Sequence, residues 1–287
     1  MRKLILFAGV VGVSFSAIFV RYSTTPPIIT ALCRMALAAL IMLPFVLLRR
    51  GGEFRKQKLT DILPCVLSGV FLGLHFCAYF EALEYTSIAA AVTLVDTEMF
   101  FVAAGMFIIL REKVAAKSWP GMILAFVGSV VIALSDAAGG SSVKGDIFAV
   151  AGAVFMAGYT VIGRLTRRTM STALYTFFVY ASGALTLLFI SLLCGVKLFG
   201  YGIVNLWTGL GMAIVCTLLG HSVFSWGLKY EKASYIAVIK LLEPVFASIL
   251  GVVLLSEYPR LTTVLGGIAV IAGIWYCTII AGRETKK

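Results

Sequence analysis

The sequence predicts an all-α integral membrane protein, with ten transmembrane helices arranged as two inverted five-helix repeats. Three observations predict it. Of 287 residues, 61% are hydrophobic and only 13% are charged, and the mean hydropathy is +1.02. A soluble domain carries about twice that share of charge, and a disordered chain needs low hydrophobicity. Second, the apolar residues fall into runs of about the 20 residues that cross a bilayer, divided by short gaps rich in charge, glycine or proline. Third, the second half of the chain echoes the first at a spacing of 145 residues.

The runs lie at 4–20, 28–48, 62–83, 86–110, 118–135, 147–163, 171–196, 206–228, 233–255 and 261–282. The first follows Met1-Arg2-Lys3 like a signal peptide. Arg21-Tyr22-Ser23-Thr24-Thr25-Pro26-Pro27 comes after it in place of a small-residue cleavage site, so it is read as a span. The longest gap, 49–61, holds Arg49, Arg50, Arg55, Lys56 and Lys58. The third and fourth runs are parted only by Glu84-Tyr85, and the eighth and ninth by 229–232. Each pair is expected to form a tight helical hairpin, because lipid-exposed irregular backbone would leave polar groups unsatisfied.

The basic residues set the orientation. With the N-terminus inside, the inside gaps hold Arg2, Lys3, Arg49, Arg50, Arg55, Lys56, Lys58, Arg111, Lys113, Lys117, Arg164, Arg167, Arg168, Lys229, Lys232, Arg283, Lys286 and Lys287. The outside gaps hold Arg21, Lys144, Lys197 and Arg260, and only Arg34 and Lys240 fall within spans. Eighteen against four predicts both termini in the cytoplasm, in the plasma membrane. The net charge of +11 is therefore read as orientation rather than as a nucleic-acid surface. The cysteines, Cys33, Cys65, Cys77, Cys194, Cys216 and Cys277, all lie in apolar runs without a C-x-x-C and read as small buried hydrophobes.

At the 145-residue shift, Leu83, Tyr85, Glu98, Phe101, Leu110, Glu112, Gly121, Ile123 and Gly128 meet identical residues at 228, 230, 243, 246, 255, 257, 266, 268 and 273. His75 and His221 correspond if one residue is inserted. The expected units are 1–137 and 145–282, with 283–287 as a cytoplasmic tail. Five spans per unit is odd, so the second copy enters the bilayer from the opposite face, an arrangement common among secondary transporters.

The chain resembles the drug/metabolite transporter superfamily of the EamA type. The resemblance rests on Ala82-Leu83-Glu84-Tyr85-Thr86-Ser87 and its counterpart Gly227-Leu228-Lys229-Tyr230. It rests also on Leu242-Glu243-Pro244-Val245, on Leu110-Arg111-Glu112 and Leu255-Ser256-Glu257, on the glycine-rich fifth and tenth spans, and on Arg34 before an Ala/Leu-rich run. The first copy departs from the pattern, since Thr97-Glu98-Met99 lacks the proline of Glu243-Pro244. The resemblance implies a ten-helix carrier of small metabolites with a central cavity between its halves.

Ionisable groups inside spans are costly and start as functional candidates. Glu98 and Glu243 sit near the middle of the fourth and ninth spans, as a pair of substrate-binding or proton-coupling carboxylates. Lys240, three residues before Glu243 and on the same helix face, either neutralises it or holds a substrate carboxylate. Asp96 should point about 200° away from Glu98 around an unbroken helix, and is expected to pair with Arg34 or Lys240. Arg34 snorkels outward, pairs with an acid, or holds an anionic group. His75 and His221 are candidate proton-relay groups. Glu81 is expected at a wet mouth. Tyr79, Phe80, Tyr159, Phe224, Trp226 and Tyr235 are candidate cavity aromatics, with Tyr79 and Trp226 favoured. Gly69-x-x-x-Gly73 should let a neighbouring helix approach closely.

No Walker motif, G-x-S-x-G elbow or H-E-x-x-H occurs, so neither an ATP motor nor a cofactor is expected. The reading is a secondary transporter, an exporter by family habit, of a polar or amphiphilic, amino-acid-like or amine-like metabolite. It works by alternating access with possible proton coupling, as monomer or homodimer, with a small molecule, protons and the bilayer as partners. An intramembrane enzyme or a passive pore are the alternatives.

Overall fold

The computed structural model describes residues 2–85, 88–135, 142–167, 169–256 and 259–284, without the side chains of 17, 20, 21, 88–90, 135, 255 and 281–284. Thr86-Ser87, the expected unit boundary at 137, Arg168, Glu257, Lys286 and Lys287 lie outside the described residues, as do the side chains of Arg21 and Arg283. Every regular element among the described residues is helical.

The first five runs become α1 (Arg2–Tyr22), α2 (Pro27–Lys56), α3 (Leu59–Tyr85), α4 and α5 (Ile88–Asp96 and Glu98–Leu110), and α6 (Trp119–Ser135). The next five become α7 (Val143–Thr166), α8 (Thr172–Leu193), the three-part eighth span, α11 and α12 (Ala233–Lys240 and Glu243–Leu255), and α13 (Leu261–Glu284). The eighth span is α9 (Ile203–Gly211), a π-helical segment (Met212–His221) and α10 (Ser222–Gly227). Among the described residues, nine helical stretches from Pro27 onward have the length and hydropathy to cross a membrane, and α1 precedes them.

Two expectations about boundaries are corrected. The gap 49–61 is mostly helix: α2 starts with Pro27 at its first position, where the missing N–H costs nothing, and runs 30 residues through the basic cluster to Lys56. At 1.5 Å per residue this is about 45 Å, longer than a hydrocarbon core of about 30 Å, so the charged last turns project beyond it. The helix stops before Lys58, whose N–H is held by the Asp61 carboxylate at 3.0 Å as α3 begins. The second correction is that the fourth and ninth spans are each two helices, parted at Thr97 and at Leu241-Leu242.

Close packing follows the small residues. α6 lies against α13, α3 against α7 and α8, α2 against α8, and α1 against the π segment and α12. A Cβ on Gly121 would sit 2.8 Å from the Gly273 carbonyl oxygen, and one on Gly273 2.5 Å from that of Gly121. Gly128 and Gly266 face one another in the same reciprocal way, at 2.6 and 2.8 Å. The order of these pairs, 121 with 273 and 128 with 266, makes α6 and α13 antiparallel. Gly69 meets Ser182 and Val179 of α8, the close approach expected of Gly69-x-x-x-Gly73.

Connectors sort to two ends of the bundle. At one end Arg2 lies over the Tyr230 ring (4.7 Å), Lys3 donates to the Thr278 carbonyl (3.2 Å), and Arg164 donates to the Leu228 carbonyl (2.6 Å). Arg167, buried, reaches the Ser225 carbonyl and Thr172 there, and Glu53 accepts from the Ser171 N–H. At the other end Asn205 accepts from the Thr24 N–H at 2.8 Å, while Ser23, Thr25 and Thr30 interlock through their hydroxyls. A cleft of about 170 Å³ opens beside them, lined by Thr25, Thr30, Cys33 and Tyr201 among others.

Candidate functional site

The two helix breaks carry the site. Thr97 closes α4 and its hydroxyl donates to the Leu94 carbonyl (2.5 Å), so Glu98 becomes the first residue of α5. Leu241-Leu242 closes α11, and Glu243 becomes the first residue of α12, with Pro244 fitting the N–H-free second position. The shift of 145 holds in the backbone as well: α5 and α12 both end in left-handed residues, Arg111 (φ 54°) and Ser256 (φ 56°). Each glutamate therefore stands at a helix N-terminus, where the dipole favours negative charge.

Lys240, the last residue of α11, donates from Nζ to Glu98 Oε1 at 2.9 Å, with both groups buried. The hydrogen bond of Lys240 thus goes to the acid of the other half in place of the expected Glu243, which stays within its electrostatic reach. Asp96 accepts a short hydrogen bond from Ser129 of α6 in place of the expected ion pair, and lies within electrostatic reach of Glu243, Glu98 and Lys240. Glu243 is half-buried, within electrostatic reach of Lys240, Arg34 and Glu98, and makes no ion pair among the described residues. Its backbone carbonyl accepts from Ser14 of α1 (3.2 Å).

Arg34 does not snorkel. It is 2% exposed, its Nε donates to Thr217 Oγ1 at 3.1 Å, and its guanidinium lies over the Phe76 ring, 4.5 Å from the centroid. His75 donates from Nδ1 to the Gly152 carbonyl (3.0 Å) and lies parallel to the Tyr79 ring at 6.1 Å. His221 meets Phe76 edge-on at 5.9 Å and Phe224 at 6.3 Å, and Phe224 lies 5.7 Å from Lys240 Nζ. A continuous chain of rings and charges thus joins Tyr79, His75, Phe76, Arg34, His221, Phe224, Lys240 and Glu98.

Trp226 is not brought into this chain; its ring packs on Tyr230 in the turn after α10. Tyr235 bonds Thr278 at the same end. Glu81 is half-buried one turn before the end of α3. Neither this cleft beside Thr25 nor a smaller one beside Tyr235 is lined by the charged central residues. Rings meet at this centre, while Tyr79, Asp96 and Glu243 beside them stay partly exposed.

Several contributors had no sequence signal, and Tyr159 had one only as a candidate cavity aromatic. Thr217 lies in the π segment, whose wider winding leaves its carbonyl to accept from Tyr180 (3.1 Å) and Ser222 (3.3 Å). Tyr159 bonds Ser225 (2.8 Å) and Tyr175 bonds Ser68 (2.7 Å), tying α7, α8 and α3 to the eighth span. Ser129, Ser14 and Phe76 were hidden among ordinary span residues. Pro244 was the one available signal for a helix start at Glu243.

Helices with the length and hydropathy to cross a membrane surround a buried charged centre, with connectors at either end. The EamA-like transporter family model matches this chain twice, over residues 3–134 and 143–279. The chain belongs to the EamA-like transporter family. It is 25% identical to an uncharacterized transporter of Archaeoglobus fulgidus over 96% of this chain and 94% of that protein. It is 26% identical to the pseudopaline exporter CntI of Pseudomonas aeruginosa (strain UCBPP-PA14), over 92% of this chain and 89% of that one. A solved crystal structure shares the fold, with a TM-score of 0.83 at 20% identity, covering 99% of this chain and 98% of that one.

Proposed function

We propose that this protein is a secondary active exporter of a small polar or amphiphilic metabolite bearing an amino-acid-like or amine-like charge. The observation that carries the proposal is the buried Glu98–Lys240 ion pair. It links the two family matches at the breaks in their equivalent spans. Broken helices at mid-span are where secondary carriers place substrate and coupling ions.

The two halves act as an inverted repeat. The antiparallel α6–α13 crossing supports this, because these helices are equivalent under the 145-residue shift. So do the paired contacts of α3 with α7 and of α1 with the eighth span, which exchange under the same shift. Opening to either side parts the rings and admits substrate to the charged centre. Glu243 takes and releases the coupling proton, since it can be neutralised without breaking the Glu98–Lys240 pair. The basic connectors support cytoplasmic termini in the plasma membrane. The exporter name of the Pseudomonas aeruginosa relative supports outward transport.

Proteoliposomes loaded with labelled amino acids and amines test the proposal. Wild-type protein is expected to move at least one of them under an imposed pH gradient, while Glu243→Gln loses the dependence on that gradient. Equal transport by wild type, Glu98→Gln and Glu243→Gln would overturn the roles of both carboxylates.

A further inference from the structure

Lys240 is committed to Glu98 and is not free to receive an incoming anion. Two other buried nitrogens are. Arg34 Nη2 has no hydrogen-bond partner among the described residues, and neither has His221 Nδ1. The residues are 2% and 7% exposed. Both address the same ring: Arg34 covers the face of Phe76 and His221 meets its edge. They come from α2 and from the π segment, so each half of the chain supplies one donor. Buried polar groups are almost always satisfied, and a charged donor left without an acceptor is among the costlier exceptions. A guanidinium nitrogen and an imidazole nitrogen left unpartnered on either side of one aromatic ring mark a place for a polar group that the described residues do not provide.

We propose that Arg34 and His221 form a carboxylate subsite for an amino-acid-like zwitterion. Arg34 Nη2–H and the N–H at His221 Nδ1 donate to the two carboxylate oxygens, and Phe76 packs against the carbon stem. The charge around the subsite selects a monoanionic group. Glu243 lies within electrostatic reach of Arg34, and Lys240, itself paired with Glu98, within reach of His221, so Arg34 is the positive charge left for a ligand and suits a monoanion better than a dianion. Glu243, without an ion pair and within electrostatic reach of Arg34, receives the substrate ammonium. This inference deepens the transport reading and rests on it for the substrate's passage, though not for its binding.

The test is binding to the full-length protein in detergent, read as thermal unfolding, with matched probes: L-leucine, L-phenylalanine and L-histidine against their carboxamides and the corresponding decarboxylated amines. A ligand of the folded state raises apparent stability. At least one free acid is expected to stabilise the wild type while its amide and amine do not. Arg34→Gln should weaken the acid by about tenfold or more, and His221→Ala by less, as loss of a charged against a neutral hydrogen bond implies. Arg34→Lys, which keeps the charge and loses the planar fork, is expected to bind between the two and controls for folding, as does each variant's unliganded unfolding temperature. Amides or amines stabilising as well as acids would overturn the subsite. So would acids stabilising Arg34→Gln as well as wild type, or no acid stabilising the wild type. The same probes in gradient-driven transport separate the two readings. Amines moving without acids sinks the subsite alone, and acids binding without any probe moving sinks the transport reading alone.

Discussion

Glu98 and Lys240 would each be costly alone in hydrocarbon, and their cost is offset only by one another. Removing one partner of a buried pair leaves an uncompensated charge, at about 3–5 kcal/mol, whereas replacing both is often near neutral. Lys240→Met is therefore expected to lower thermal stability strongly, and Glu98→Gln combined with Lys240→Met to restore most of it. A double-mutant cycle in thermal unfolding checks this; additive losses would mean that the 2.9 Å contact carries no coupling. At this scale the sequence made the charged centre more legible than the partners within it. Rarity of charge in apolar runs singled out Glu98, Glu243, Lys240, Asp96 and Arg34. Partners are not legible along a single helix: Lys240, three residues before Glu243, bonds Glu98 of the other half, and Asp96 bonds Ser129 of α6.

At the scale of elements, the breaks were half legible. Pro244 at the second position of α12 is an ordinary helix-start signal, which was read only as a family motif. Thr97-Glu98-Met99 carries no such mark, and only the 145-residue correspondence transfers the break to the first copy. The π segment had no signal at all, since its ten residues have ordinary apolar composition. Helix contacts were more legible, because glycine spacing reports close approach. At the α6–α13 crossing, a side chain on Gly128 meets the Gly266 carbonyl, which cannot rotate away. Gly128→Leu should destabilise the protein by about 1–3 kcal/mol or more, as overpacking does. The equivalent Gly273→Leu should behave alike, while Gly51→Leu, on the open stretch of α2 with nothing within 4 Å, should be tolerated. Folded yield and unfolding temperature of the three variants check the order.

Over the whole molecule, the hydropathy runs placed all ten spans to within a few residues, apart from the extended α2. Basic residues of three gaps expected on one side, Arg2, Arg164 and Arg167, share an end of the bundle near Tyr230. What could not be read was which side chains meet at the centre: composition and periodicity are silent on it, so the contacts of Arg34, Phe76 and His221 are visible only in coordinates. The account claims that this centre opens alternately to the two sides. Tyr79, half-buried beside His75, lies at its edge. The direct measurement is labelling of Tyr79→Cys, in a background lacking the six native cysteines, by a membrane-impermeant thiol reagent added to one face of oriented proteoliposomes at a time. Labelling from each face, with substrate changing the ratio between them, is the predicted result. Labelling from one face only under every condition, or from neither, would contradict it.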